Sequence, residues 1–295
     1  MKYADLIAKL TLEEKAGLTS GRDFWHTKAV ERLGIPSEMM TDGPHGLRKQ
    51  ESDSDALGLG RSVPATCFPT ASALANSWDE TLLSAVGRAL GEEAVAQGVG
   101  MVLGPGVNIK RSPLCGRNFE YFSEDPLLSG KLAAAMIRGI QSTGVSACVK
   151  HFAANSQELR RMATDSVMDE RTLREIYLPA FETAIKEGGV RSLMTAYNRL
   201  NGTYCNENEH LLRDILRGEW GFDGLVVSDW GAAYDQAKAI AAGNDLDMPG
   251  PRDIQPILDA VANGSLKMEE IDLAVSRMLQ MLLDMPVMKG RKYDK

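Results

Sequence analysis

Gly224-Leu225-Val226-Val227-Ser228-Asp229-Trp230-Gly231 is the stretch on which the fold turns. Three consecutive aliphatic residues spell a short strand buried on both faces, as the strands of parallel sheets are. The run stops at a carboxylate, an indole and a glycine. In an α/β barrel the C-terminal ends of the strands carry the chemistry. Asp229 therefore stands where a metal ligand, a general base or a nucleophile would stand. For an isolated strand-end aspartate, capping the next helix is the plainer role.

Outward from this octapeptide the pattern repeats. Short apolar runs at 101–103, 147–150, 190–196 and 246–248 alternate with helical patterns at 77–97, 128–141, 169–186, 211–217, 232–242 and 268–283. Thr11-Leu12-Glu13-Glu14 and Ser77-Trp78-Asp79-Glu80 have the form of capping boxes. Asp169 opens the third helix, and Gly188-Gly189 closes it. Strands between helices indicate a parallel sheet with crossover connections. At least five such units predict an α/β fold of the TIM-type (β/α) barrel, with an irregular or incomplete first β/α unit. The barrel domain is expected over 1–285, with 286–295 as a tail or the start of a linker. The Ser-, Asp- and Gly-rich 51–62 stretch reads as an exposed loop.

A chain of 295 residues suits one such barrel. A net charge of −7 argues against nucleic-acid and membrane-surface partners. No run approaches the roughly 20 apolar residues that span a bilayer. The N-terminal residues lack the apolar core of a signal peptide. Cys67, Cys115, Cys148 and Cys205 form no CxxC pair and read as thiols of a reducing compartment, so the expected location is cytoplasmic. No GxxxxGK[ST] loop appears, and no GxGxxG follows a strand. His26, His45, His151 and His210 have no His-x-x-x-His spacing, so neither a cofactor nor a metal is expected. Asp245 and Asp247 form a D-x-D pair that turn chemistry before Met248-Pro249-Gly250 explains as well as a cation would.

Five polar clusters follow strands or lie in loops. They are centred on Asp42 in Thr41–Arg48, on Arg117 in 111–120, on Lys150-His151-Phe152, on Met194 and Tyr197 in 194–198, and on Ser228-Asp229-Trp230. A sugar ring presents hydroxyls at its edge and C–H groups on its faces. Its recognition calls for charges at the edge and for indole or phenol on the face. Each residue has a plainer role when taken alone: a turn for Asp42, a surface ion pair for Arg117, a solvated tip for Lys150, a core imidazole for His151, packing for Met194, Tyr197 and Trp230. Their recurrence at successive strand ends favours a shared pocket.

Taken in order, these motifs resemble glycoside hydrolase family 3, the β-glucosidase group. The matching segments are Thr41-Asp42-Gly43-Pro44-His45-Gly46-Leu47-Arg48, the run 104–126 that contains Arg117-Asn118-Phe119-Glu120, Lys150 to Asn155 with Gln157, Glu158 and Arg161, Met194 to Asn198, and Gly224 to Trp230. The similarity extends from about residue 5 to 285. It implies that Asp229 is the nucleophile, that Asp42, Arg117, Lys150, His151, Arg161 and Tyr197 hold the nonreducing sugar, and that Met194 and Trp230 touch its apolar faces. The implied substrate is a β-glucoside or oligosaccharide, hydrolysed with retention through a glycosyl-enzyme. Lys150, Arg117 and Arg161 are expected to keep neighbouring carboxylates ionised.

The proton donor does not follow from the same residues. The family's β-glucosidases place the acid/base glutamate in a second domain, and this chain stops where the barrel should stop. N-acetylglucosaminidases of the family instead use an Asp-His pair on the loop after Lys-His; here Asp165-Ser166-Val167 has valine in place of that histidine. Glu120, Glu158 and Asp165 are the stand-ins within the chain. The expectation is an acid/base supplied by a second domain or chain. The rival readings are a sugar-binding or structural barrel without efficient turnover, and an N-acetyl-β-glucosaminidase.

Overall fold

The computed structural model describes residues 1–51 and 60–288. Most of the predicted 51–62 loop and of the 286–295 tail lies outside the described residues. Among the described residues, eight strands make two sheets. The larger is a parallel sheet of β1 (Met40–Thr41), β2 (Met101–Val102), β3 (Ser146–Phe152), β5 (Ser192–Thr195) and β8 (Leu225–Val227), in that order. The smaller is a ribbon of β4 (Asp165–Ser166), β6 (Arg199–Leu200) and β7 (Thr203–Tyr204). Every residue of β3, β5 and β8 is buried, which explains why they read as unbroken apolar runs rather than as alternation.

The larger sheet closes on itself. Beyond β8, Leu246 bridges Val227 and Asp247 bridges Ser20, both in parallel. The Ser228 N–H donates to the Leu246 carbonyl (2.8 Å), and Gly21 N–H donates to that of Asp247 (3.1 Å). The chain then doubles back. Gly21 bridges Thr27 and His26 bridges Met39, both antiparallel, and Met40 N–H donates to the Trp25 carbonyl (2.9 Å) next to β1. This hairpin is the irregular first unit: residues 19–27 stand where a strand–helix–strand unit would. The strand expected at 246–248 joins the ring through bridges alone.

Several helices differ from expectation for local reasons. The helix Glu80–Ala96 is capped by Asp79, whose Oδ1 accepts from Thr81 and Leu82 N–H, while the Ser77 hydroxyl donates back to the Leu74 carbonyl. The predicted box at Ser77 is therefore replaced by a carboxylate cap, and Ser77 finishes the preceding turn. At Thr11 both capping-box bonds form. The single helix expected over 169–186 is three pieces. Asp169 caps Glu170–Thr172, a wide turn covers Leu173–Tyr177, and Pro179–Lys186 restarts the helix, because a proline nitrogen has no proton to continue the ladder. The helix expected from 232 begins only at Gln236, where Asp235 caps it. Helices Ala71–Ala75 and Gln255–Ala262 had no sequence reading.

Outside the sheet, Glu80–Ala96 packs on Pro126–Ser142 at a backbone-close crossing. A Cβ on Gly87 would lie 2.3 Å from the Met136 carbonyl oxygen, and one on Gly139 would lie 2.1 Å from that of Ser84. Hydrogen at both positions is what lets the two helices meet.

Candidate active site

Parallel strands deliver their C-terminal ends to one rim. Asp42 follows β1, Lys150 and His151 lie late in β3, Met194 is in β5, Tyr197 follows it, and Asp229 and Trp230 follow β8. A cavity of about 250 Å³ opens there. Its walls include every residue expected at the site: Asp42, Arg117, Lys150, His151, Arg161, Met194, Tyr197, Asp229 and Trp230. Phe24 and Trp25 from the hairpin, with Arg48 and Gln50 from the loop after β1, complete the lining.

Ser228 sets the height of Asp229. Its hydroxyl donates to Asp247 Oδ1 (3.1 Å) and accepts from Met248 N–H (2.9 Å), which pins the end of β8 to the neighbouring segment. Asp229 Oδ1 then accepts from the Trp230 N–H at 2.8 Å. Its Oδ2 is buried and accepts no hydrogen bond among the described residues. Burial pushes the Asp229 carboxyl above its ordinary range; Arg117, Lys150, the Trp230 N–H and Arg161 pull it back without cancelling that push. The expected effect of the cations is present, and burial outweighs it.

The cations are themselves held by carboxylates. Lys150 Nζ lies 3.2 Å from Asp42 Oδ1 and 3.9 Å from Glu120 Oε2. Arg117 pairs with the other oxygen of Glu120. Burial opposes the Lys150 ammonium, but Asp42 and Glu120 more than compensate and raise its pKa. Arg161 pairs with Glu158 (2.8 Å), and its guanidinium lies 4.5 Å from the centre of the Tyr197 ring. The Tyr197 hydroxyl donates to the Trp230 carbonyl (2.7 Å).

His151 is wedged among donors. Asn108 clamps its backbone from both sides, accepting from the His151 N–H (2.7 Å) and donating to its carbonyl (2.8 Å). Burial, followed by Arg117, Lys150 and Arg161, pushes the imidazole well below its ordinary pKa. Its approach to Asp229, 3.7 Å from Nε2 to Oδ2, is thus a contact between a neutral ring and a carboxylate, not an ion pair.

One wall is aromatic. Trp230 lies 5.5 Å from Trp25 and 6.5 Å from Phe24, centre to centre. Trp230 Nε1–H donates to the Phe24 carbonyl, and Trp25 Nε1–H donates to Gln50. The arrangement offers an apolar face, four cations and two carboxylates, one of them with an oxygen that accepts no hydrogen bond among the described residues.

The stand-in proton donors do not reach the cavity. Glu120 is engaged by Arg117 and Lys150, Glu158 by Arg161 and Asn155, and the Asp165 side chain by the Gly202 N–H. None of the three lines the cavity. The D-x-D pair is likewise engaged: Asp245 by Arg217 (2.7 Å) and Arg277 (2.9 Å), Asp247 by Arg252, Ser228 and Gln236.

The family model for the glycosyl hydrolase family 3 N terminal domain matches residues 11–281. The chain belongs to glycosyl hydrolase family 3. It is 59% identical over 279 residues to the thermostable beta-glucosidase B of Acetivibrio thermocellus, covering 94% of this chain and 37% of that protein. It is 50% identical over 280 residues to an exo-alpha-(1->6)-L-arabinopyranosidase of Bifidobacterium longum, covering 95% of this chain and 36% of the relative. Among solved structures it resembles beta-glucosidase 3B from Thermotoga neapolitana in complex with alpha-D-glucose, with a TM-score of 0.92 and 43% identity over 98% of this chain and 44% of that one. The chain thus spans little more than a third of the length of these curated relatives.

Phe24, Trp25, Arg48 and Gln50 line the cavity beside the residues expected there, and Asn108 and Tyr121 stand behind His151. Phe24-Trp25-His26 was an available aromatic signal, but nothing near it in sequence shows that the hairpin carrying it closes the barrel. Asn108 and Tyr121 lie inside the 104–126 match, yet their contacts with His151 become visible only when β3 is in place.

Proposed function

We propose that this chain is the glycone-binding and nucleophile-bearing module of a retaining, exo-acting β-glucosidase. The observation that carries the reading is that Asp229, whose Oδ2 accepts no hydrogen bond among the described residues, lines one cavity together with cations and indole. Attack by Oδ2 on the anomeric carbon forms the Asp229–sugar ester while the bond from that carbon to the leaving oxygen breaks; the leaving oxygen takes a proton from an acid. In the second step that group, now a base, deprotonates the water that releases the sugar. With Glu120, Glu158 and Asp165 engaged elsewhere, the acid/base comes from outside these residues, from a second domain or chain. The exposure of Leu114 (92%), Leu159 (78%) and Phe119 (51%), on the loops that carry Arg117 and Arg161, fits a covering partner. Valine at 167 speaks against the N-acetyl-β-glucosaminidase reading.

The test uses substrates that differ in their need for an acid. Dinitrophenyl β-D-glucoside departs almost unaided, and azide attacks a glycosyl-enzyme without a base. The chain should release dinitrophenolate slowly, azide should accelerate it by forming a β-glucosyl azide, and Asp229→Asn should abolish it. Cellobiose should lag by the roughly 10²–10⁴-fold that general acid/base catalysis supplies. Release that survives Asp229→Asn refutes the nucleophile, and efficient cleavage of cellobiose refutes the external acid/base. The dinitrophenyl α-L-arabinopyranoside, run beside the glucoside, decides between the sugars named for the two relatives. A chain that binds glucose but forms no glycosyl-enzyme would be the sugar-binding module instead.

A further inference from the structure

We propose that Tyr121 is a positioning residue that fixes His151 as the neutral tautomer protonated on Nδ1, so that Nε2 offers a lone pair to Arg117 and no proton to Asp229. Arg117 decides the state of Nε2. A guanidinium has donors only and keeps its charge at any pH a protein tolerates. Its Nη2 lies 2.8 Å from His151 Nε2, so Nε2 must accept. A neutral imidazole has one proton, and it is therefore on Nδ1. The group facing Nδ1 is the Tyr121 hydroxyl, at 3.1 Å. Its oxygen accepts the Nδ1–H bond, the only polar contact recorded for that nitrogen among the described residues.

Tyr121 is built for constancy. It is fully buried, its ring meets that of His151 edge-on at 6.1 Å, and the Asn155 amide lies 3.4 Å from its oxygen. The charged and titratable groups around the imidazole are Arg117, Lys150 and Arg161 on the cationic side, Asp229 at 3.7 Å, and Glu120 and Glu158 behind Arg117 and Tyr121. As charges the three cations disfavour an imidazolium; between the neutral tautomers the Arg117 donor keeps the proton off Nε2, and the Tyr121 oxygen accepts it at Nδ1.

The choice matters for Asp229. A proton on Nε2 would face the Arg117 donor and turn towards Asp229 Oδ2, the oxygen read above as the nucleophile. A hydrogen bond there would blunt it. This role rests on the proposed function, but the tautomer does not, and it is measured without turnover.

The experiment is ¹⁵N NMR of the histidine side chains of the full chain, with the His151 signals assigned by their loss in His151→Gln. The expected wild-type spectrum shows Nδ1 protonated and Nε2 bare, with no titration between pH 5 and 8. Tyr121→Phe removes the acceptor and keeps the ring. Its His151 should show a mixture of tautomers or a titration, and its kcat for dinitrophenyl β-D-glucoside should fall about tenfold, the value of one hydrogen bond, with KM little changed. A wild-type His151 protonated on Nε2, or a folded Tyr121→Phe chain with an unaltered His151 spectrum, overturns the proposal. The wild-type spectrum decides the tautomer even where the variant folds poorly. If the tautomer stands and no glucoside is cleaved, it is the functional reading that fails.

Discussion

Asp229 occupies a place where it costs the fold stability. Its carboxyl is raised by burial against the pull of Arg117 and Lys150. The native state therefore holds this proton more tightly than the unfolded chain does. The contribution of Asp229 to stability falls as pH rises from the unfolded carboxylate value through the raised native one. At pH 7 Asp229→Asn should be more stable than the parent by about 1 kcal/mol, within the roughly 0.5–2 kcal/mol that single stabilising substitutions give, and on the proposed function it should lose aryl-glucoside turnover. Urea unfolding of both chains checks it, and a variant less stable than the parent would contradict the account of the pocket. Lys150→Met tests the opposing pull. Without that ammonium the Asp229 carboxyl rises further, so the acid limb of kcat/KM for the activated glucoside should move to higher pH in whatever activity survives. An unmoved limb would mean that Lys150 does not act on Asp229.

Between elements, the fold relies on two kinds of fastening. The first is a buried carboxylate. Asp245 accepts from Val226 N–H in β8, from Arg217 in the helix His210–Glu219 and from Arg277 in the helix Met268–Asp284. Burial pushes Arg217 down to about 10 despite Asp245. Asp245→Asn leaves two enclosed guanidinium groups short of their counter-charge, and denaturant unfolding should show a loss of roughly 3–5 kcal/mol; a loss below ~1 kcal/mol would show that water reaches the arginines. The second is close contact. Gly139→Ala puts a methyl 2.1 Å from the Ser84 carbonyl, so the two long helices must part, at roughly 1–3 kcal/mol. A neutral thermal melt would show that the crossing has slack. These fastenings also mark the limit of reading from sequence. β3 and β8 are legible because burial on both faces leaves a largely apolar run that ends at residues lining the cavity. β1 is two residues long between Pro36 and Gly43-Pro44, and carries no period to detect. The 19–27 hairpin takes its meaning from Asp247, more than two hundred residues away. Lys150, His151, Met194, Tyr197, Asp229 and Trp230 were legible as polar or aromatic residues at strand ends, whereas Arg161 was named only through the family resemblance. Phe24, Trp25, Asn108 and Tyr121 reach it from a hairpin and a loop whose course is set by long-range pairing.

Across the whole barrel two buried groups, Glu38 and His151, carry opposite pH dependences. At the closed end, where β1 and β2 begin, Glu38 is buried against Gly100, and its Oε2 has no partner among the described residues. Burial raises this carboxyl to about 8, with only the N–H groups of Met39 and Gly100 pulling it back. The folded chain keeps a proton there that the unfolded chain releases from about pH 4.5, so this group withdraws stability as pH rises towards 8. At the open end His151 is held below its ordinary pKa. The unfolded chain takes up that proton below about pH 6.5 and the native chain does not, so stability is withdrawn as pH falls. The two slopes oppose each other in mildly acid solution, and above about pH 6.5 the His151 slope is gone. There the Glu38 slope adds to that of Asp229, and the difference between the parent and a Glu38 variant isolates it, at no more than the roughly 1.4 kcal/mol per pH unit that one proton can give. Glu38→Gln keeps the shape of the side chain and removes its proton. Urea unfolding at half-unit steps from pH 6 to 8.5 should show the parent losing stability relative to the variant as pH rises, with the gap closing at the acid end. Parallel curves would mean that Glu38 is already ionised in the folded barrel, and that its charge is met by a partner the backbone N–H groups alone do not account for.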